Sequence, residues 1–98
     1  MPPPTHREPP VMSNPGAERV KSVRALSRRS VRDRTGRFLV EGPQSVREVV
    51  LHHPEQVVDL YLTAQARSRH ADIVEAAGRA ELYLHEVSDE VLAAMCDT

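Results

Sequence analysis

Cysteine and aromatic side chains are nearly absent from this sequence. Cys96 is the single cysteine in 98 residues, so no internal disulfide forms, and a reducing compartment fits. A lone cysteine of this kind reads as a small apolar residue before it reads as a nucleophile. There is no Trp, and Phe38, Tyr61 and Tyr83 are the only aromatic rings besides histidine. The core must then be aliphatic. Platforms for stacking single-stranded bases are missing, because all three rings fall in segments that read as strands. No apolar run approaches the roughly 20 residues that span a bilayer, and the N-terminus carries no apolar stretch of signal-peptide type. A cytoplasmic protein without a membrane partner is the expectation.

Glycine and histidine are too dispersed for a cofactor or metal site. Gly16, Gly36, Gly42 and Gly78 form neither a P-loop nor a dinucleotide-binding turn. His52 and His53 are adjacent, and adjacent helical residues point about 100° apart, so they chelate poorly. His6, His70 and His85 have no Cys or His at ligand spacing. No nucleophile-elbow motif occurs. The sequence therefore predicts no catalytic residue, no metal and no cofactor in this chain.

What is abundant is proline at the start and arginine just after it. Residues 1–15 hold six of the eight prolines, and residues 1–13 read as a disordered leader with no core of its own. The net charge of −1 hides a split. From Arg19 to Arg37 the eight bases Arg19, Lys21, Arg24, Arg28, Arg29, Arg32, Arg34 and Arg37 face the single acid Asp33, a net +7. From Glu41 onward four bases stand against eleven acids, a net −7. Such asymmetry points to a polyanion-binding face on an acidic body.

Hydrophobic spacing gives the order of elements. Asn14 reads as an N-cap and Pro15 as the first residue of a helix that runs to about Arg29–Arg32. On it Val20, Val23 and Leu26 fall on one side, while Lys21, Arg24, Arg28 and Arg32 share an arc of roughly 80° away from the valines. A charged loop follows, turning at Gly36. Phe38-Leu39-Val40 reads as a buried strand. Gly42-Pro43 opens a second helix with Val46, Val49 and Val50 inward, closed by His52-His53-Pro54. Residues 57–62 read as a second strand. A helix over about His70–Ala77 turns Ile73, Val74 and Ala77 inward and ends at Gly78. Residues 82–84 read as a third strand. Ser88 caps a last helix, with Asp89 and Glu90 in its first turn and Val91, Leu92 and Met95 inward.

The alternation α-β-α-β-α-β-α predicts an α/β fold, a three-layer α/β/α sandwich with a small, mainly parallel sheet. One domain spans residues 14–98. Nothing completes the final sheet edge, so the chain reads as part of a longer protein.

The arginines admit more than one reading. Guanidinium forks bind phosphate in bidentate fashion, and a row of them follows a nucleic-acid backbone. A solvated helix face supported by an i,i+4 ladder needs acids, and the first helix has only Glu18. An acidic protein partner is the third reading, a dimerisation domain with the −7 half of a second copy being one such partner.

Some stretches are more specific than their physics. Asn14-Pro-Gly-Ala-Glu-Arg-Val-Lys21, Val23-Arg-Ala-Leu26, Arg29-Ser-Val-Arg32 and Gly36-Arg-Phe-Leu-Val-Glu-Gly42 lead the comparison. They resemble the N-terminal substrate-binding domain of SpoU/TrmH-family RNA 2′-O-ribose methyltransferases, of the SPOUT class. Val46-Arg-Glu-Val-Val50, Val58-Asp-Leu-Tyr-Leu-Thr63 and Val87-Ser-Asp-Glu-Val-Leu-Ala-Ala-Met95 agree, so the similarity spans residues 13–98.

The resemblance implies the sandwich of the ribosomal L30/L7-type RNA-binding fold, presenting RNA, ribosomal RNA above all, to the enzyme. It places S-adenosylmethionine and the homodimer contact in a C-terminal SPOUT methyltransferase domain absent from this chain. The fragment is expected to be monomeric and inactive alone, and no catalytic residue carries over onto it. Asn14, Lys21, Arg24, Arg28, Arg29, Arg32, Arg34 and Arg37 are the expected RNA contacts. Glu41-Gly-Pro-Gln-Ser45 keeps the glycine of a kink-turn-binding loop but lacks its Asn-Glu pair, so kink-turn recognition is not expected. Glu41 reads instead as a tie for the strand-to-helix turn. A stand-alone RNA-binding protein of the same fold is the alternative.

Overall fold

Residues 11–96 are described by the computed structural model; most of the expected leader, residues 1–10, and residues 97–98 lie outside the described residues. Strand β1 (Leu60–Leu62) pairs in parallel with β2 (Leu84–Glu86), in the register Leu60↔Leu84, Tyr61↔His85, Leu62↔Glu86. A parallel pair needs a long crossover. Helices α4 (Ala64–Arg69) and α5 (Ala71–Arg79) supply it. The other edge of β2 is also used. Met12 N donates to Glu86 O, and Ser88 N donates to Met12 O, each at 2.9 Å, so Met12 forms a parallel bridge with Val87.

Successive strand residues face opposite sides of a sheet, and here each side has its own core. Leu60 and Leu62 are buried with Val50 of α3 (Pro43–His52) and with Ile73, Ala76 and Ala77 of α5. On the opposite face Val87 is buried with Val20 of α1 (Glu18–Arg24) and with Val91 and Met95 of α6 (Asp89–Met95), and Tyr61 packs against them. The fold is therefore the expected α/β/α arrangement around a small parallel sheet. An ion pair fastens α3 to α5, with Arg47 Nε 2.6 Å from Asp72 Oδ2.

Local chemistry explains the element ends. Gly42, at φ 90°, turns the chain into Pro43 at the first position of α3. Ser88 Oγ accepts from Val91 N at 3.1 Å and caps α6. Thr63 accepts from Ala66 N and caps α4, a helix that the sequence reading did not anticipate.

Four expectations are corrected. First, Asn14 does not cap a helix. Its Oδ1 accepts from Gly16 N at 2.9 Å in a turn, and α1 starts at Glu18. Second, the single long helix is broken. Residues Ala25–Ser27 tighten into a 3-10 turn, Arg28 is extended at φ −93°, ψ 129°, and α2 (Arg29–Thr35) starts afresh. A continuous helix would stack Lys21, Arg24, Arg28 and Arg32 at three- and four-residue spacing, where like charges repel. Third, Phe38–Val40 is not a strand, and Phe38 is 70% exposed. An apolar run becomes a strand only when another backbone satisfies its polar groups, and none does so among the described residues. Fourth, the remaining strands are displaced. Val57 N closes a 3-10 turn on Pro54 O, so β1 begins at Leu60. Helix α5 runs through Gly78 and is closed by Leu82 N on Ala77 O with Glu81 at φ 58°, so β2 begins at Leu84.

Candidate nucleic-acid interface

The basic segment is built on α1, the 3-10 turn and α2, with Gly36 (φ 68°) closing α2 in the left-handed region and its N–H on Arg32 O at 2.8 Å. Lys21 and Arg24 lie exposed on α1, Arg28 at the break, Arg29 and Arg34 on α2, and Arg37 just beyond it. Lys21 Nζ is 3.9 Å from Glu18 Oε1, and Arg29 Nε is 3.8 Å from Asp33 Oδ2. Both are loose surface pairs, which hold a side chain weakly. Arg28 and Arg34 have neither an ion pair nor a side-chain hydrogen bond among the described residues. Their guanidinium donors face water and are available to an anion.

Arg32 also serves the backbone. Its Nη1 donates to Leu26 O and to Ser27 O, both at 2.9 Å, and so satisfies carbonyls at the end of the 3-10 turn. This expected phosphate contact thus fastens the helix break through one nitrogen, with its remaining N–H donors not used in these two bonds.

Sequence reading leaves Arg19 out of the contact set, although it stands four residues before Val23 and so shares the inward side of α1. Arg19 Nη1 lies 3.6 Å from Asp59 Oδ2, with the Tyr61 hydroxyl beside the same guanidinium. Asp59 Oδ1 in turn lies 2.8 Å from His85 Nε2, and the His85 ring stacks on Tyr61 with centroids 5.1 Å apart. The phenol of Tyr61 is pushed above its ordinary range by burial, and Arg19 and Arg37 pull it back. The hydrogen bond to Tyr61, then the charges of Tyr61 and Asp59, hold Arg19 still more firmly protonated. Sheet and basic segment therefore meet at Tyr61. No periodicity reveals this, because it depends on strand register.

Beyond this region a shallow groove of about 310 Å3 runs between the helix break and the end of α6, lined by Leu26, Arg32, Phe38, Leu39, Met95 and Cys96. Burial pushes the Cys96 thiol up, and the Glu41 carboxylate, which accepts its hydrogen bond, adds to the effect. A group held as the thiol is a poor nucleophile. Glu41, before α3, thus stands in the same groove as Cys96 at the end of α6. A second groove of about 220 Å3 lies on the other sheet face. No group of three or more metal-ligating side chains converges among the described residues. No helix there is long and apolar enough to cross a membrane.

The parallel α/β/α core thus carries an arginine-rich flank, the positive field that a polyanion would meet. Residues 17–98 match the MRM3-like substrate binding domain, and the chain belongs to that family, the substrate-binding domains of SpoU-type RNA methyltransferases. Comparison with curated proteins and with solved structures gave no match.

Proposed function

We propose that this chain grips and orients an RNA, ribosomal RNA in the first instance, for 2′-O-ribose methylation by a SpoU/TrmH-type catalytic domain that uses S-adenosylmethionine. Family membership supports RNA as the partner. The observation that carries the reading is the exposure of Arg28, just before α2, and of Arg34, in its last turn, with no ion pair to an acid among the described residues. Planar guanidinium groups form paired hydrogen bonds to phosphate, and such contacts position a backbone without reading its bases. Lys21, Arg24, Arg29, Arg37 and Asn14 extend the surface, Arg19 joins it, and Arg32 supports it from behind. The chain's task is positioning, so that one ribose reaches the catalytic domain.

The test is binding of a ribosomal RNA hairpin by the chain and by an Arg28→Ala, Arg34→Ala double variant. The double variant is expected to bind about tenfold more weakly, uniformly across hairpin sequences, with its salt slope reduced by about 1.4 to 1.8. Equal affinity of the two proteins contradicts the reading.

A further inference from the structure

The sheet face that carries Tyr61 is open at one end. The register sets Tyr61 beside His85, and continued by one residue, where Leu60 N donates to Tyr83 O, it brings Asp59 opposite Tyr83, on the same face by alternation. Helices α1 and α6 close that face at Val87. At its other end Tyr83 keeps 73% of its surface exposed, against the sequence expectation of a ring held in a strand. Two residues along the strand from Tyr83, His85 is stacked on Tyr61, their planes 24° apart. The acid beside Tyr61 and His85 is occupied, because Asp59 holds His85 with one oxygen and faces Arg19 with the other. Arg19 itself remains 50% exposed, with donors to spare.

We propose that Tyr83, at the open end of the face that carries His85 and Tyr61, is the stacking site for one unpaired nucleobase of the bound RNA, with Arg19 on a neighbouring phosphate. The inference rests on the RNA-binding reading above and deepens it. A free π-face attracts flat rings of any base, and the Arg19 guanidinium on the same face favours an anion attached to such a ring. A nucleotide supplies both on one residue. An acidic peptide supplies the charge without the flat ring, and a paired base hides its faces within the helix. The domain would then recognise a loop or bulge, gripping phosphates with the arginines and one extruded base with Tyr83.

The experiment measures binding of three anionic probes of similar charge to the 98-residue chain. They are a short unpaired oligoribonucleotide, its abasic counterpart and a glutamate peptide. Tyr83→Ala and Tyr83→Phe are compared with wild type, and circular dichroism checks that both variants are folded. Tyr83→Ala should weaken the oligoribonucleotide about tenfold and leave the abasic strand unchanged. Tyr83→Phe should behave as wild type, because stacking uses the ring and not the hydroxyl. Unchanged oligoribonucleotide affinity in Tyr83→Ala overturns the stacking site while the arginine reading stands. Equal loss for the base-bearing and abasic strands overturns it too. Tyr83-dependent binding of the glutamate peptide assigns the surface to a protein partner and overturns it. Failure of wild type to bind either nucleic-acid probe at low salt removes the RNA-binding reading itself, and the stacking site with it.

Discussion

The Arg32 guanidinium donates through Nη1 to the Leu26 carbonyl at 2.9 Å, reaching six residues back across the helix break. The same nitrogen serves Ser27 O. Arg32 therefore belongs to the scaffold of the basic segment, whereas Arg28 and Arg34 belong to its surface. Hydrogen bonds from a charged donor to otherwise unpaired carbonyls stabilise by about 1 to 2 kcal/mol. Arg32→Ala should lower unfolding stability by about that amount in urea titration. Arg28→Ala, which removes no internal bond among the described residues, should leave stability within about 0.5 kcal/mol of wild type. A stable Arg32→Ala variant contradicts the capping role.

Gly36 closes α2 in the left-handed region, where a side chain is strained even though nothing lies within 4 Å of its position. Gly36→Ala should destabilise by about 1 to 2 kcal/mol for backbone reasons alone. Gly78→Ala, in helical backbone with equally open surroundings, should be neutral or stabilising. Thermal unfolding of the two variants separates conformation from packing, and equal shifts in Tm contradict the argument.

The link between α3 and α5 carries a pH signature. The hydrogen bond from Arg47 is the main cause that holds the Asp72 carboxyl below its ordinary range, with burial opposing. A carboxyl depressed on folding contributes stability that is complete above its unfolded pKa of about 3.9 and is lost as pH falls through the lower folded value. Asp72→Asn should lower Tm at neutral pH, and the difference from wild type should shrink below about pH 3.9. A difference that stays constant through that window shows that the pair contributes no linkage.

Cys96 tests the proximity of Glu41, before α3, to the end of α6. With its thiol held up by burial and by Glu41, it should react with iodoacetamide at pH 8 more slowly than a free cysteine, whose pKa is about 8.5. Glu41→Gln removes the carboxylate charge and should speed alkylation. An unchanged rate contradicts the contact.

The elements legible in the sequence were those with strong local chemistry. Gly42-Pro43 and Ser88 announce the starts of α3 and α6, and Val50, Ile73 and Val91 sit in the core where their spacing puts them. The break at Arg28 was not legible, because periodicity scores the apolar side and the break arises from charge crowding on the other. Phe38–Val40 has the composition of a strand, but pairing decides, and no periodicity reports a partner. The charge of the candidate site was likewise plain in residues 19–37, but its geometry was not. Arg32 turns inward to backbone carbonyls, and Arg19 reaches Asp59 across the fold, 40 residues away in sequence. Tyr83 read as part of a strand because Leu82 and Leu84 flank it, yet its ring stands in solvent at the strand's start.

The most direct test of the central claim is the salt dependence of hairpin binding by the wild-type chain, measured between about 50 and 200 mM salt. If Arg19, Arg28, Arg34 and Arg37 each take a phosphate, the four contacts should reduce affinity roughly 50- to 150-fold over that range. A steep fall of this size is the result the account predicts. Binding that hardly changes with salt, or that is absent at the lower concentration, would show that these arginines do not hold a nucleic-acid backbone.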